Sequence, residues 1–204
     1  MKKRTIYTIG HSTHEIRNFI SFLKRHRINA VADVRSVPYS RYYPQFNREN
    51  LIDSLRVHSI EYVFLGKELG ARSDNPECYE NGRVKYQYLA RTKLFREGIE
   101  WIRKGSKHRK IALMCAEKDP LDCHRTILVA RELVKVGLDI AHILADGRVE
   151  RHDITMKRLL EQLEMGGHRD LFLTEEQLMD KAYTAKERRI AYFKKESACK
   201  PQEV

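Results

Sequence analysis

Apolar residues along this chain fall in short runs separated by stretches with helical spacing. Thr5-Ile-Tyr-Thr-Ile-Gly10 is an apolar run ending at a turn residue, and it predicts a buried strand. Ser12-Thr-His-Glu15 has the form of a capping box, with the serine hydroxyl accepting from the backbone and the glutamate reaching back. Beyond it, Ile16, Phe19, Ile20 and Leu23 mark one face of a helix. Ala30-Val-Ala-Asp-Val-Arg35 predicts a second strand halted by Pro38. Residues 50–57 predict a short helix, and Glu61-Tyr-Val-Phe-Leu-Gly66 a third strand. Gly66, Gly70, Asn75-Pro76 and Asn81-Gly82 mark residues 66–84 as a long loop.

The second half continues the alternation. An amphipathic helix with the sole tryptophan, Trp101, is expected over 87–104, and a fourth apolar strand over 110–115. Asp119 then reads as an N-cap and Pro120 as the first residue of a helix over 120–136, closed by Gly137. A fifth strand is expected over 140–144, and Asp146-Gly147 as a hairpin-type turn into Arg148-Val-Glu-Arg-His152. A helix over 155–165 follows. After Gly166-Gly167, Thr174-Glu-Glu-Gln177 opens a highly charged helix reaching about Lys195. Strands alternating with helices predict an α/β fold, a mostly parallel twisted sheet of about five strands with helices on both faces. Residues 1–165 form the expected α/β domain and 166–204 a C-terminal helical extension, solvated or docked on a partner.

Composition narrows the class. With 204 residues, 42% hydrophobic content and only five prolines, the chain is expected to fold around one good-sized core. No apolar run approaches the roughly 18 residues that a membrane span needs. Met1-Lys-Lys-Arg4 before apolar residues resembles the start of a signal peptide, but Gly10-His-Ser-Thr-His14 breaks the stretch early. A cytoplasmic location is therefore expected, with no membrane partner. The cysteines at 78, 115, 123 and 199 show no disulfide-framework spacing, which favours reduced thiols. Of the net charge of +11, residues 166–204 carry +1 and residues 1–165 carry +10. A basic domain suits phosphorylated or polyanionic partners.

The loops that follow the strands fall on one edge of such a sheet, where α/β folds place ligands. Strand one leads to Gly10-His11-Ser12, strand two to Asp33, Arg35 and Ser36, strand three to Gly66-Lys67-Glu68, and strand four to Cys115-Ala-Glu117. Cys115 stands at a strand end facing an expected helix start, whose dipole favours a thiolate. Arg125 could add a positive charge there, and His11 or His124 could transfer a proton. A buried, inert Cys115 is the competing reading. Cys115, Cys123 and His124 could instead be metal ligands, but the Cys-x7-Cys-His spacing matches no common zinc pattern, so a catalytic thiol is favoured and no metal or other cofactor is expected. Cys123, in the expected first helical turn, reads as packing.

Glu117 points to the Cys115 side and could be a general base or the partner of Arg35 or Arg125. Asp33 and Arg35, two apart on a strand, could be catalytic and binding groups or a structural ion pair. The amides of Ser12, Thr13 and His14 offer an anion site. The segment from Arg35 to Arg48 interleaves arginines with Tyr39, Tyr42, Tyr43 and Phe46, the composition of a nucleotide or single-strand binding surface.

Thr8-Ile-Gly-His-Ser12, Asp33-Val-Arg35 with Pro38 and Ser40, Pro44 with Phe46, Leu65-Gly66 with Leu69-Gly70, and Cys115-Ala-Glu117 with Cys123-His124-Arg125 carry a family resemblance. Over roughly residues 5–160 the chain resembles a widespread prokaryotic family known as domain of unknown function 488. The resemblance implies an α/β domain and a site built from His11, Asp33, Arg35, Cys115, Glu117, Cys123, His124 and Arg125. It groups the motifs without naming a reaction.

The favoured expectation is an enzyme that hydrolyses, or transfers a group on, a nucleotide or nucleic acid. Cys115, Glu117, His11 and Asp33 are the expected catalytic groups. Ser12, Arg35, Ser36, Ser40, Tyr39, Tyr42, Phe46, Lys67, His124 and Arg125 are the expected substrate contacts. The alternatives are a non-catalytic nucleic-acid-binding module and a cysteine-based redox or metal sensor.

Overall fold

In a computed structural model that describes residues 4–167 and 173–194, five parallel strands and one antiparallel strand form a single sheet. The parallel strands are β1 (Thr5–Gly10), β2 (Ala30–Asp33), β3 (Glu61–Phe64), β6 (Ile111–Cys115) and β7 (Asp139–Ile143), with β4 and β5 set apart in a hairpin described below. The sheet order is β3-β2-β6-β1-β7-β8, where β8 (Val149–Arg151) runs antiparallel to β7 along one edge. All five residues of β6 are buried, as a central parallel strand covered on both faces requires.

Alternation along the strands separates two cores. Ile111, Leu113 and Cys115 face one side, together with Ile6, Ala30 and Ile140. Ala112 and Met114 face the other, with Ile9, Val31 and Ile143. On this second side pack α1 (Ile16–Arg25) and α2 (Arg48–Arg56), through Phe19, Leu23, Leu51 and Leu55. The first side is covered by α4 (Tyr86–Arg91), α5 (Lys93–Gly105), α6 (Arg131–Lys135), α7 (His152–Gln162) and α8 (Glu175–Ile190). The mixed α/β architecture with helices on both faces is thus the expected one, with β8 as a sixth strand beyond the Asp146-Gly147 turn.

Four local expectations change. Ser12 takes a left-handed turn, φ 45°, so α1 begins only at Ile16 and no side chain caps it; the capping box does not form. The helix expected over 87–104 divides at Thr92, whose hydroxyl caps α5 by accepting from the Phe95 amide. Within the expected loop at 66–84 lie a short helix α3 (Gly66–Leu69) and the hairpin of β4 (Tyr79–Glu80) with β5 (Arg83–Val84), turning at Asn81-Gly82. The helix expected over 120–136 is interrupted. Pro120–Asp122 forms one tight turn capped by Asp119, Cys123 is extended, and a new helix then runs through a wide-turn segment Arg125–Ala130 into α6.

Thr174 and Gln177 form the capping box that opens α8. That helix does not stand off as a solvated extension. Ala182 and Tyr183 are buried and join the core on the first side. Lys186, also buried, reaches Asp122 at 2.6 Å. Lys195 and Cys199 lie outside the described residues; Cys78, Cys115 and Cys123 are free and buried. Among the described residues no helix is long and apolar enough to cross a membrane.

A buried hydrogen-bond chain fastens α8 to the sheet. The Thr8 hydroxyl meets His142 Nδ1 at 2.8 Å, His142 Nε2 meets His152 Nδ1 at 3.0 Å, and His152 Nε2 meets the Tyr183 hydroxyl at 3.2 Å. Burial holds His152 down to about 4 and lowers His142 well below the usual histidine range. Depressed histidines bind protons more readily in the unfolded chain. Their contribution to stability is therefore complete above about pH 6.5, the unfolded value, and is lost as pH falls from there toward 4. Thermal unfolding followed from pH 7.5 to 4.5 should show the midpoint falling over this window, and His152→Gln should flatten the slope. An unchanged slope in that variant would remove this histidine chain as the acid-sensitive element.

Candidate active site

The parallel seam between β1 and β6 continues past the strand ends. The His11 amide donates to the Cys115 carbonyl at 2.9 Å, and the Ser12 amide to the Ala116 carbonyl at the same distance. Gly10 makes this possible, because a Cβ there would lie 1.9 Å from the Glu117 carbonyl oxygen. The loop that leaves β6 is thereby pressed against the turn that leaves β1. The amides of Ser12 and His14 are consumed by Ala116 and His11, so the anion site expected from them is not formed.

A cleft of about 650 Å³ opens at this edge. Nine expected site residues line it: His11, Ser12, Arg35, Ser36, Tyr39, Ser40, Cys115, Glu117 and His124. Five others have different places. Asp33 is fully buried and grips Arg35 through both carboxylate oxygens, at 2.9 and 2.7 Å, while Tyr62 donates to it at 2.9 Å. It is a structural partner rather than a catalytic group. Phe46 is 0% exposed and stacks beneath the His11 ring at 4.5 Å, so it supports the site and cannot stack on a substrate. Tyr42 is 84% exposed and stands outside the cleft. Lys67 is exposed on α3, also away from it. Arg125 is 0% exposed, and its guanidinium donates to the carbonyls of Glu117 at 2.8 Å and Lys118 at 3.5 Å; it holds a loop, not a substrate.

His11 also changes role. Its Nδ1 donates to the Ser12 carbonyl, and its Nε2 accepts from Arg35 at 3.2 Å. Burial, with the Arg35 charge beside it, lowers it to about 4. A neutral imidazole with both nitrogens engaged orients Arg35 and is not a free base.

A cluster of thiol, imidazole and carboxyl groups lies at the cleft floor, where Cys115, Glu117 and His124 line it and Cys123 is buried beside them. Cys123 ends the tight turn and starts the new helix, and its Sγ accepts from the Arg125 amide at 3.4 Å. The helix start therefore points at Cys123 and not, as expected, at Cys115. Cys115 Sγ lies 3.7 Å and Cys123 Sγ 3.8 Å from His124 Nδ1, and Cys123 Sγ lies 2.8 Å from a Glu117 carboxyl oxygen. Burial pushes the Cys115 thiol well up, aided by its neighbour Cys123. For Cys123, burial pulls the same way, but the Cys115 thiol, the Arg125 charge and His124 overcome it and hold the group well below the usual thiol range. Burial and the adjacent Cys123 charge raise Glu117. His124 is raised against burial by Cys123 and Glu117. One proton is thus shared across the 2.8 Å gap, with Cys123 shifted toward its thiolate and Glu117 toward its neutral form. Of the two sulfurs, it is Cys123, expected as packing, whose surroundings favour the thiolate.

Sequence reasoning did not single out several wall residues. Tyr43 and Arg72 line the cleft, as do Tyr86, Asp122 and Tyr192. Tyr43 sits within the aromatic run already noted. Arg72 follows the third strand's loop, and its amide donates to the Ser36 hydroxyl at 3.0 Å while its guanidinium lies over the Tyr192 ring at 4.6 Å. Tyr86 and Tyr192 arrive from distant elements and carry no local signal.

These features define an α/β domain with a thiol, imidazole and carboxyl cluster at the carboxyl edge of its central strand. Residues 15–131, just over half of the chain, match the family described as domain of unknown function DUF488, and the chain belongs to it. No curated protein and no solved structure matches the chain.

Asp33→Asn leaves the buried Arg35 charge without its carboxylate and is expected to cost about 3 kcal/mol or more in chemical unfolding. Asn at this position with unchanged stability would show that the pair does not anchor the site.

Proposed function

We propose that the protein is an enzyme that hydrolyses, or transfers a group on, a nucleotide or nucleic acid bound in this cleft. One observation carries the reading: Cys115, His124 and Glu117, with Cys123 buried beside them, line a cleft walled by tyrosines and arginines. Tyr39 and Tyr43 offer ring faces for a base, a composition suited to stacking, while Tyr86 and Tyr192 complete the wall. Arg72 is the exposed cation at the wall, whereas the guanidinium of Arg35 is largely spent on Asp33 and the Phe46 carbonyl. Phosphate recognition therefore falls first to Arg72 and only second to Arg35, and the +10 charge of residues 1–165 draws anions toward the domain. Glu117, raised toward neutrality beside an activated sulfur, is the group suited to carry a proton.

The test is a panel of nucleoside mono- and triphosphates and short single-stranded RNA and DNA, with products read by mass spectrometry and binding by calorimetry. Glu117→Gln and Cys123→Ser should each lower turnover by roughly a hundredfold or more while ligand affinity holds. Arg72→Ala should weaken binding instead. Full activity in both cluster variants would overturn the assignment, and affinity without any turnover would identify a binding module.

A further inference from the structure

We propose that Cys115, Cys123 and His124 form a three-ligand site for a divalent cation of the zinc class, with its fourth position open to the cleft. The proposal goes beyond the catalytic reading and does not depend on it.

Geometry is the first support. The two sulfurs and His124 Nδ1 all lie within 4.8 Å of one another, and both sulfurs stand 3.7 to 3.8 Å from the nitrogen. A tetrahedral zinc with bonds of about 2.3 Å to sulfur and 2.0 Å to nitrogen has sulfur–nitrogen edges of about 3.6 Å. Both sulfur–nitrogen edges therefore already stand within a few tenths of an ångström of a coordination face, and the sulfurs lie no more than 4.8 Å apart.

The second support is the tautomer of His124. Its Nε2 lies 3.0 Å from the Val34 carbonyl, which can only accept, so Nε2 carries the proton. In the neutral ring the Nδ1 lone pair then points at the two sulfurs. A backbone carbonyl fixing the far nitrogen is the usual outer-shell arrangement of a metal-bound histidine. The third support is the Arg125 amide, which donates to Cys123 Sγ and favours its deprotonated, ligating form.

Two sulfurs with one imidazole select a borderline-soft ion over magnesium or calcium. Three protein ligands beside a cleft fit a catalytic rather than a closed structural site. The spacing in sequence resembles no zinc knuckle because the ligands come from a strand end and a helix start that only the fold brings together. Glu117 borders the site without belonging to the three-ligand group, and is placed to take the proton of a metal-bound water. Two cysteines, one histidine and a non-ligating glutamate are the donor set that activates water in zinc deaminases of nucleobases.

Metal-free full-length protein should be titrated with cobalt(II) under anaerobic conditions and, separately, with zinc followed by elemental analysis. One metal per chain is expected, with the intense sulfur-to-cobalt absorption of a tetrahedral thiolate site. Cys115→Ser, Cys123→Ser and His124→Asn should each weaken affinity by roughly a hundredfold or more, with circular dichroism reporting that the fold persists. Cys78→Ala, outside the cluster, and Glu117→Gln should keep the metal. Absence of stoichiometric binding, or cobalt spectra indifferent to loss of Cys115 and Cys123, overturns the site. Either failure leaves the turnover assay above free to succeed or fail by itself.

Discussion

The buried guanidinium of Arg125 is the contact on which this site depends. It carries a full charge at 0% exposure, and among the described residues no carboxylate forms an ion pair with it. Its compensation comes from the carbonyls of Glu117 and Lys118, and its charge in turn favours a deprotonated Cys123. An unmatched buried charge is expensive, so the surroundings must supply electron density at fixed places. Holding the Glu117 carbonyl sets the path of the loop leaving β6, and that path is what Gly10 must leave room for. The backbone of the same residue donates to Cys123 Sγ. One arginine thus ties together a strand end, a tight loop and a helix start, which are the three parts that carry the reactive groups.

The sheet was legible because buried parallel strands read as continuous apolar runs, and all five of the expected strands are present. What escaped notice was decided by competition among local signals. Asp119-Pro120 is a strong helix start, and it does cap a turn, with Asp119 accepting from the Leu121 amide at 2.8 Å. The turn then yields at Cys123, because its sulfur and the Arg125 guanidinium are both drawn inward. The wide-turn segment that follows is a rare form that frequently occurs at functional sites. Ser12 shows the converse case. Its capping motif was sound in isolation, but the Ala116 carbonyl claims its amide and turns the chain left-handed before the helix can begin.

The edge that carries the site could be read from the order of strands and loops, and nine expected residues do line one cleft. Residue type alone could not say which polar atoms were already spent. Asp33, with Arg35 two positions away, suited catalysis and ion pairing equally; only the full burial of Asp33 and the contact from Tyr62 decide for the pair. Phe46 looked like a stacking platform and is one, for His11. Tyr86 and Tyr192 entered through packing over long sequence distances. Tyr192 is placed by the Val84 amide, which donates to its carbonyl at 2.9 Å, so α8 and its exit complete the wall that the main domain begins.

The charges of the finished pocket are sorted by depth. At the floor, Cys123 and Glu117 approach to 2.8 Å, where two negative groups cannot coexist, so one proton stays between them. Arg35 and Arg125, the cations nearby, are committed to Asp33 and to backbone carbonyls. The floor therefore holds electron density and, among the described residues, its neighbouring arginines are spent, whereas the wall above it presents the exposed Arg72. A ligand matched to both levels has an anionic end that stays at the wall and an electrophilic end that descends to the sulfurs. On the reading proposed above, a phosphate joined to a base or sugar would have that polarity, whereas a simple anion would meet only the wall.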